Sequence, residues 1–268
     1  MTLQSHVNNS GFPLQIAIAQ NVRDSDLPWQ VLYQEHYWKT DAEDGFIDLA
    51  IENVNECCLI NIECKRVRDS HWTFLLPKES GMQQTSRSSI WWTETNMGSE
   101  RAFSRFGWHE LRVEPLSYES SFCIVPGQDS KSRPLLERVA AQVANSTYGL
   151  AVNEAELLSD HYSGGIRFYL NAIVTTASLQ LCTFDPAEID IATGDIGDEA
   201  TFEEVPFIRF RKQLGTLPKK GPPKISYRRD IERFISDSES TVFVINSRHL
   251  TDFLSDFKIS AMRAQQWR

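Results

Sequence analysis

FIDLAIENVNECCLINIECKRV, from Phe46 to Val67, is the stretch on which the reading of this chain turns. Two short apolar runs flank NVNE, and an acid interrupts each of them. Asp48 stands between Ile47 and Leu49, Glu63 stands between Ile62 and Cys64, and Lys65 follows two residues after Glu63. The pattern predicts a hairpin with strands over 46–51 and 58–65. Side chains alternate across a strand, so pairing parity decides which residues share a face. With the turn centred on Val54–Asn55, Ile47 faces Ile62, Leu49 faces Ile60 and Ile51 faces Cys58, all of them apolar pairs. The opposite face then carries Phe46, Asp48 and Ala50 beside Leu59, Asn61, Glu63 and Lys65. Asp48 and Glu63 become diagonal neighbours with backbones roughly 7–8 Å apart. A slip of one residue would bury the acids and expose the isoleucines.

Like charges this close repel unless a cation sits between them. Carboxylate oxygens, helped by a backbone carbonyl and waters, suit Mg²⁺ or Mn²⁺, which prefer hard oxygen ligands. A lysine two residues on reaches the same pocket, where it can orient or deprotonate a water or stabilise charge on a phosphate. The plainer reading is a solvated sheet face on which Lys65 neutralises Glu63 or Asp48.

Asp48, followed fifteen positions later by Glu63-Cys64-Lys65 at the end of an apolar strand, resembles the signature of the PD-(D/E)XK nuclease superfamily. The resemblance covers about residues 26–67 and, more loosely, a helix at 134–148 and a strand at 166–176. It implies an α/β fold with a restriction-endonuclease-like mixed sheet flanked by helices, in which a helix precedes the sheet bearing the acids and the lysine. It also implies a single domain over 1–268 with an inserted segment at 66–130. By the same resemblance Asp48 and Glu63 would hold Mg²⁺ or Mn²⁺, the Cys64 carbonyl could add a ligand, and Lys65 would serve the attacking water. Ile47 stands where the name-giving proline would be.

Upstream, Asp26 and Pro28 look like a helix start, and Trp29, Val31, Leu32 and Trp38 extend it to about Lys39. On that helix Glu35 interrupts the apolar stripe, where an unpaired carboxylate is costly to bury. Two readings stand. Members of the resembled superfamily carry a first-helix glutamate that reaches the metal, and Glu35 matches that place; or Glu35 is a helix-edge acid that pairs with Lys39.

Downstream, 109–114 and 121–125 read as short strands, LLERVAAQVANS within 134–148 as a helix, and 166–183 as two strands. PFIRFRKQL (206–214) and TVFVIN (241–246) are strands, and Ser247 caps a helix whose Leu250, Phe253, Leu254 and Phe257 share a face. Trp91, Trp92, Phe103, Phe106 and Trp108, interleaved with Arg87, Arg101 and Arg105, could stack bases or form a core.

Composition sets the outer bounds. At 268 residues, 41% hydrophobic and 24% charged, the chain is an ordinary globular protein. It lacks a basic, apolar leader and any run long enough to span a membrane, so no membrane role is expected. Five cysteines without a CxxC pair fit a reducing, cytoplasmic setting. The net charge of −9 is uneven. Arg209 to Arg233 holds nine Lys/Arg against two acids (+7), so the remainder carries −16, with eight acids and no Lys or Arg between Asp185 and Glu204. Within the basic stretch Lys219, Lys220, Lys224, Arg228 and Arg229 could contact phosphates, or could form a solvated loop. HExxH, GxSxG and Walker patterns are all missing, which excludes a zincin, an α/β-hydrolase and a P-loop enzyme.

The expectation is therefore a Mg²⁺- or Mn²⁺-dependent nuclease acting on DNA. Its acidity favours recruitment or regulation by a protein partner, and a homodimer is allowed. The competing expectations are a non-catalytic interaction protein that keeps the fold as a scaffold, and a nuclease directed at RNA.

Overall fold

A computed structural model describes residues 2–41, 43–53, 55–68, 70–78, 84–98, 101–127, 133–158, 165–214 and 239–260, without the side chains of 94–98, 101–109 and 156–158. Two helices open the chain, α1 (Leu3–Asn9) and α2 (Phe12–Asp24). Gly11, at φ 85, caps α2 in a left-handed conformation that glycine adopts freely, and a proline follows in the first turn. Three antiparallel strands come next: β1 (Gln30–Lys39), β2 (Asp44–Asn53) and β3 (Cys58–Lys65). After them run β4 (His71–Pro77), the long pair β5 (Thr85–Gly98) and β6 (Arg101–Ser117), and the short β7 (Glu119–Ser120) and β8 (Cys123–Ile124). Helix α3 (Leu135–Leu158) leads into β9 (Gly165–Thr175), β10 (Ser178–Phe184), β11 (Thr201–Val205), β12 (Phe207–Lys212) and β13 (Ser240–Asn246). Helix α4 (Leu250–Asp256) and β14 (Lys258–Ile259) complete the described chain.

The main sheet runs β1-β2-β3-β9-β13-β12-β7, with β5 also pairing β9 and β6 pairing β5 and β14. Its centre, β3-β9-β13, is parallel. TVFVIN of β13 is buried on both faces, as central parallel strands are. A second sheet has the order β11-β10-β4-β8. The fold is thus mixed α/β, with a mixed sheet flanked by a few helices. No described helix is long and apolar enough to cross a membrane.

Cores form on both faces of the main sheet. On one, Ile18, Ala19 and Val22 of α2 meet Leu49, Ile51, Ile60, Ile62 and Cys64. On the other, α3 covers the main sheet and the inner face of the small sheet through Val139, Ala140, Val143, Trp72 and Leu181. Asn61 of β3 fixes α3 by donating to the Ser146 and Thr147 hydroxyls at 2.8 and 2.9 Å. Gly149 lets Trp38 lie against the helix, since a Cβ there would fall 2.2 Å from the indole.

Several expectations are corrected. Residues 26–39 are not a helix: Ser25 already ends α2, and Gln30–Lys39 is a strand. Its aromatic residues favour a pleated edge, and the apolar spacing that mimicked a helix comes from a register irregularity between Val31 and Tyr33, which sets the apolar Val31 and Leu32 next to each other. Glu35 further along the strand has a positive φ of 52. The hairpin keeps its parity over Leu49–Ile51 but shifts by two residues: Leu49 pairs Ile62 and Ile51 pairs Ile60. The turn centres one residue later because the Asn53 side chain accepts the Asn55 and Glu56 N–H groups. Ile47 leaves the expected face and packs with Trp38, Leu59 and Leu150. The basic stretch also begins differently than its charge suggests. Arg209 is fully buried, donating to the Ser88 and Ser117 hydroxyls and the Pro115 carbonyl, and burial pushes its guanidinium down to about 10. Arg211 pairs with Glu110 and Glu239.

Candidate active site

The register brings three acids from three neighbouring strands into one row. β1 and β2 pair through Gln34–Leu49 and His36–Ile47, which sets Glu35 opposite Asp48. β2 and β3 pair as far as Leu49–Ile62, and the next step sets Asp48 opposite Glu63. There the ladder stops. Asp48 Oδ2 accepts the Cys64 N–H at 2.8 Å, so a side chain takes the place of a backbone carbonyl and the two strands fork.

Helix α2 pins the fork. Gln15, only 4% exposed, donates through Nε2 to Glu35 Oε1 at 2.7 Å and to the Asp48 carbonyl at 2.6 Å. This contact helps hold Glu35 in a left-handed conformation that costs a non-glycine residue about 1–2 kcal/mol. Beyond the fork, Lys65 Nζ lies 2.5 Å from Glu63 Oε1, and Gln142 of α3 approaches Glu63 Oε2 at 3.5 Å.

Burial and like charge act together on this cluster. Burial raises the Asp48 carboxyl above its ordinary range, and the charge of Glu35 adds to that; the Cys64 N–H and Lys65 oppose it. Glu63 is raised by burial first and by Asp48 second, against Lys65, with Glu35 adding a smaller push. Burial likewise pushes the Cys64 thiol up, and its side chain packs among Ile60 and Ile62. Any part Cys64 plays in binding therefore falls to its carbonyl.

Asp48 Oδ1 has no hydrogen-bond partner among the described residues, and Glu63 Oε2 has only the long Gln142 contact. Those two hard oxygens fit a small divalent cation whose remaining positions are filled by water, the manner in which Mg²⁺ is usually held. They do not make a closed cage: among the described residues no three His, Cys, Asp or Glu side chains converge on one point. Glu35 is held by α2, while Glu63 reaches towards α3.

Glu35, Asp48, Glu63 and Lys65 thus lie at one fork, with Glu35 on a strand rather than a helix. Lys219, Lys220, Lys224, Arg228 and Arg229 lie outside the described residues. Trp91 is a core residue, packed with Leu59 and Tyr169, and His36 stacks on Tyr33 at 4.1 Å. Gln15 and Gln142 were not anticipated. A signal for Gln15 exists, since it is the lone polar member of the buried stripe Gln15, Ile18, Ala19 and Val22; Gln142 carries none. No family profile, curated protein or solved structure matches this chain.

Proposed function

We propose that the chain is a Mg²⁺- or Mn²⁺-dependent nuclease that hydrolyses phosphodiester bonds in DNA. The observation that carries the reading is the fork: half-buried Asp48 stands beside buried Glu63, both raised by burial and by like charge, with Lys65 in contact with Glu63. Evolution-neutral packing would favour apolar residues or complete ion pairing at such a place, and perturbed carboxylates in a charged cluster are candidates for function. The resemblance to the PD-(D/E)XK superfamily supports it further, since α2 precedes a sheet that bears the acids and the lysine, and α3 and β9 follow.

Asp48 Oδ1, Glu63 Oε2 and the Cys64 carbonyl are the groups that would hold the ion. When bound, such an ion polarises the phosphate and makes a bound water more acidic. Lys65 sits at the rim with its side chain about one-third exposed, so Nζ can orient a water or stand against charge growing on a phosphate oxygen. Gln15 acts through Asp48 and Glu35, fixing the main chain of one and the carboxylate of the other.

The test is cleavage of end-labelled DNA, with RNA in parallel, by the purified protein in Mg²⁺, Mn²⁺ or EDTA. Asp48→Asn, Glu63→Gln and Lys65→Ala should each lower the metal-dependent rate at least ~100-fold while circular dichroism stays unchanged. Cleavage that survives all three substitutions overturns the reading.

A further inference from the structure

The outer face of the small sheet frames a polar cleft of about 610 Å³, separate from the fork. Trp72, Phe74, Leu179 and Leu181 face the core beneath α3, so alternation turns His71, Thr73, Ser178 and Gln180 outwards. Strand β11 adds Phe202 and Glu204. Gln180 pairs with both Thr73 and Glu204, which sets three polar side chains in one row across the cleft floor. Thr176, just past β9, and Arg248, just past β13, stand at one end.

Position ties this cleft to the fork. Lys65 ends β3 level with Thr175 of β9, which is level with Asn246 of β13. The Thr176 N–H donates to the Lys65 carbonyl at 3.2 Å, and its hydroxyl donates to the Val67 carbonyl at 2.7 Å. The cleft therefore begins at the carboxyl edge of the parallel strands, where crevices of α/β sheets take ligands.

Charge and shape narrow the occupant. In a chain of net charge −9, this edge carries Lys65, Arg66, Arg68, His71 and Arg248. Among the described residues, neither the Arg248 guanidinium nor the His71 ring has a hydrogen bond or ion pair. Phe202, at the other end, is 63% exposed and offers an open ring face. It pairs with Cys182, four residues along β10 from Ser178, so the cationic and aromatic ends stand about 13 Å apart. That span suits a short length of strand, with phosphate at Arg248, a base on Phe202, and Glu204 and Gln180 as partners for a base edge.

We propose that this cleft binds an unpaired stretch of DNA strand adjoining the phosphate presented to the fork. Bases in a duplex are stacked on one another and cannot lend a face to Phe202, whereas an unpaired base can. The link to the scissile phosphate rests on the nuclease reading; the binding itself does not.

Fluorescence anisotropy in EDTA, with labelled oligodeoxythymidine and a duplex of equal length, tests it without cleavage. The wild type should prefer the single strand. Phe202→Ala and Arg248→Ala should each weaken binding about tenfold, and Arg248→Ala should also flatten the salt dependence by ~0.7 in log–log slope. Both side chains are exposed, so unchanged melting curves will show the fold intact. No preference for the single strand, or cleft variants as tight as wild type, overturns the proposal. Single-strand binding by a wild type that cleaves in neither metal would overturn the nuclease reading and leave the cleft standing.

Discussion

Glu154 and Glu63 are equally buried, each 5% exposed, and one helix carries the first and approaches the second, yet the protein treats them in opposite ways. Glu154, on α3, accepts from the Tyr33 hydroxyl at 3.1 Å and the Tyr169 hydroxyl at 2.8 Å, and Arg167 stands 3.4 Å away. Arg167 in turn pairs with Glu52 at 2.8 Å. Burial, with Glu154 adding to it, pushes the Tyr33 phenol up to about 12 and raises that of Tyr169. Every member has its partner. Glu63 has one short contact, Lys65, and looks across at Asp48 and Glu35. A buried charge with a full set of donors ties elements together; one set among like charges is held ready for something to arrive.

Substitutions should therefore have opposite signs at the two places. Removing Glu154 leaves two hydroxyls and part of a guanidinium uncompensated, so Glu154→Ala should cost about 3–5 kcal/mol and lower Tm by roughly 10 °C. Thermal melts in EDTA measure it, and an unchanged Tm would erase the contrast.

Glu63→Gln should do the reverse. Its folded pKa is raised above the ordinary 4.5, so its contribution to stability is fully present below that value and is lost as pH rises through the folded pKa. At neutral pH without metal the ionised group is a burden, and the glutamine variant should melt higher than wild type. The gap should narrow as pH falls towards 4. Equal Tm values at both pH values would show that Lys65 neutralises Glu63 completely.

Mn²⁺ should raise the Tm of the wild type by mass action and leave Glu63→Gln and Asp48→Asn nearly unmoved. The smallest effect is expected at Glu35, whose carboxylate is held by Gln15 of α2: Glu35→Gln should reduce the Mn²⁺ shift without removing it. Loss of the whole shift in that variant would make Glu35 a direct ligand.

How much of this was legible follows from what the residues themselves constrain. Asp48, Glu63 and Lys65 could be placed together because the apolar alternation of Leu49, Ile51, Ile60 and Ile62 permits only one parity. The register within that parity could not be read, since Asn53 closes the turn through its side chain, and a two-residue shift leaves the pattern unchanged. Glu35 was assigned to the wrong element. An irregularity between Val31 and Tyr33 interrupts the period-2 alternation, and the resulting spacing of Val31, Leu32 and Trp38 imitates a helical stripe. Arg209 counts towards a basic stretch in the sequence, but charge counts say nothing about burial; its partners at Ser88, Val113 and Ser117 lie about 90 to 120 residues away in sequence.

Every group of the fork lies between Gln15 and Lys65, yet β3 meets its parallel neighbour only at β9, where Phe168 stands opposite Cys58, 110 residues later (168 − 58). During synthesis at roughly 5–20 residues per second, that gap lasts about 5–20 s. Through that interval the carboxylates, the lysine and the glutamine all exist, but β3 has an open edge and neither β9 nor α3 to hold it. On the nuclease reading, the chain emerges from the ribosome chemically complete and inert, and becomes capable of cutting only after the later half has closed the sheet. The order of strands in the sheet would then act as a clock, set by topology, that separates making the enzyme from arming it.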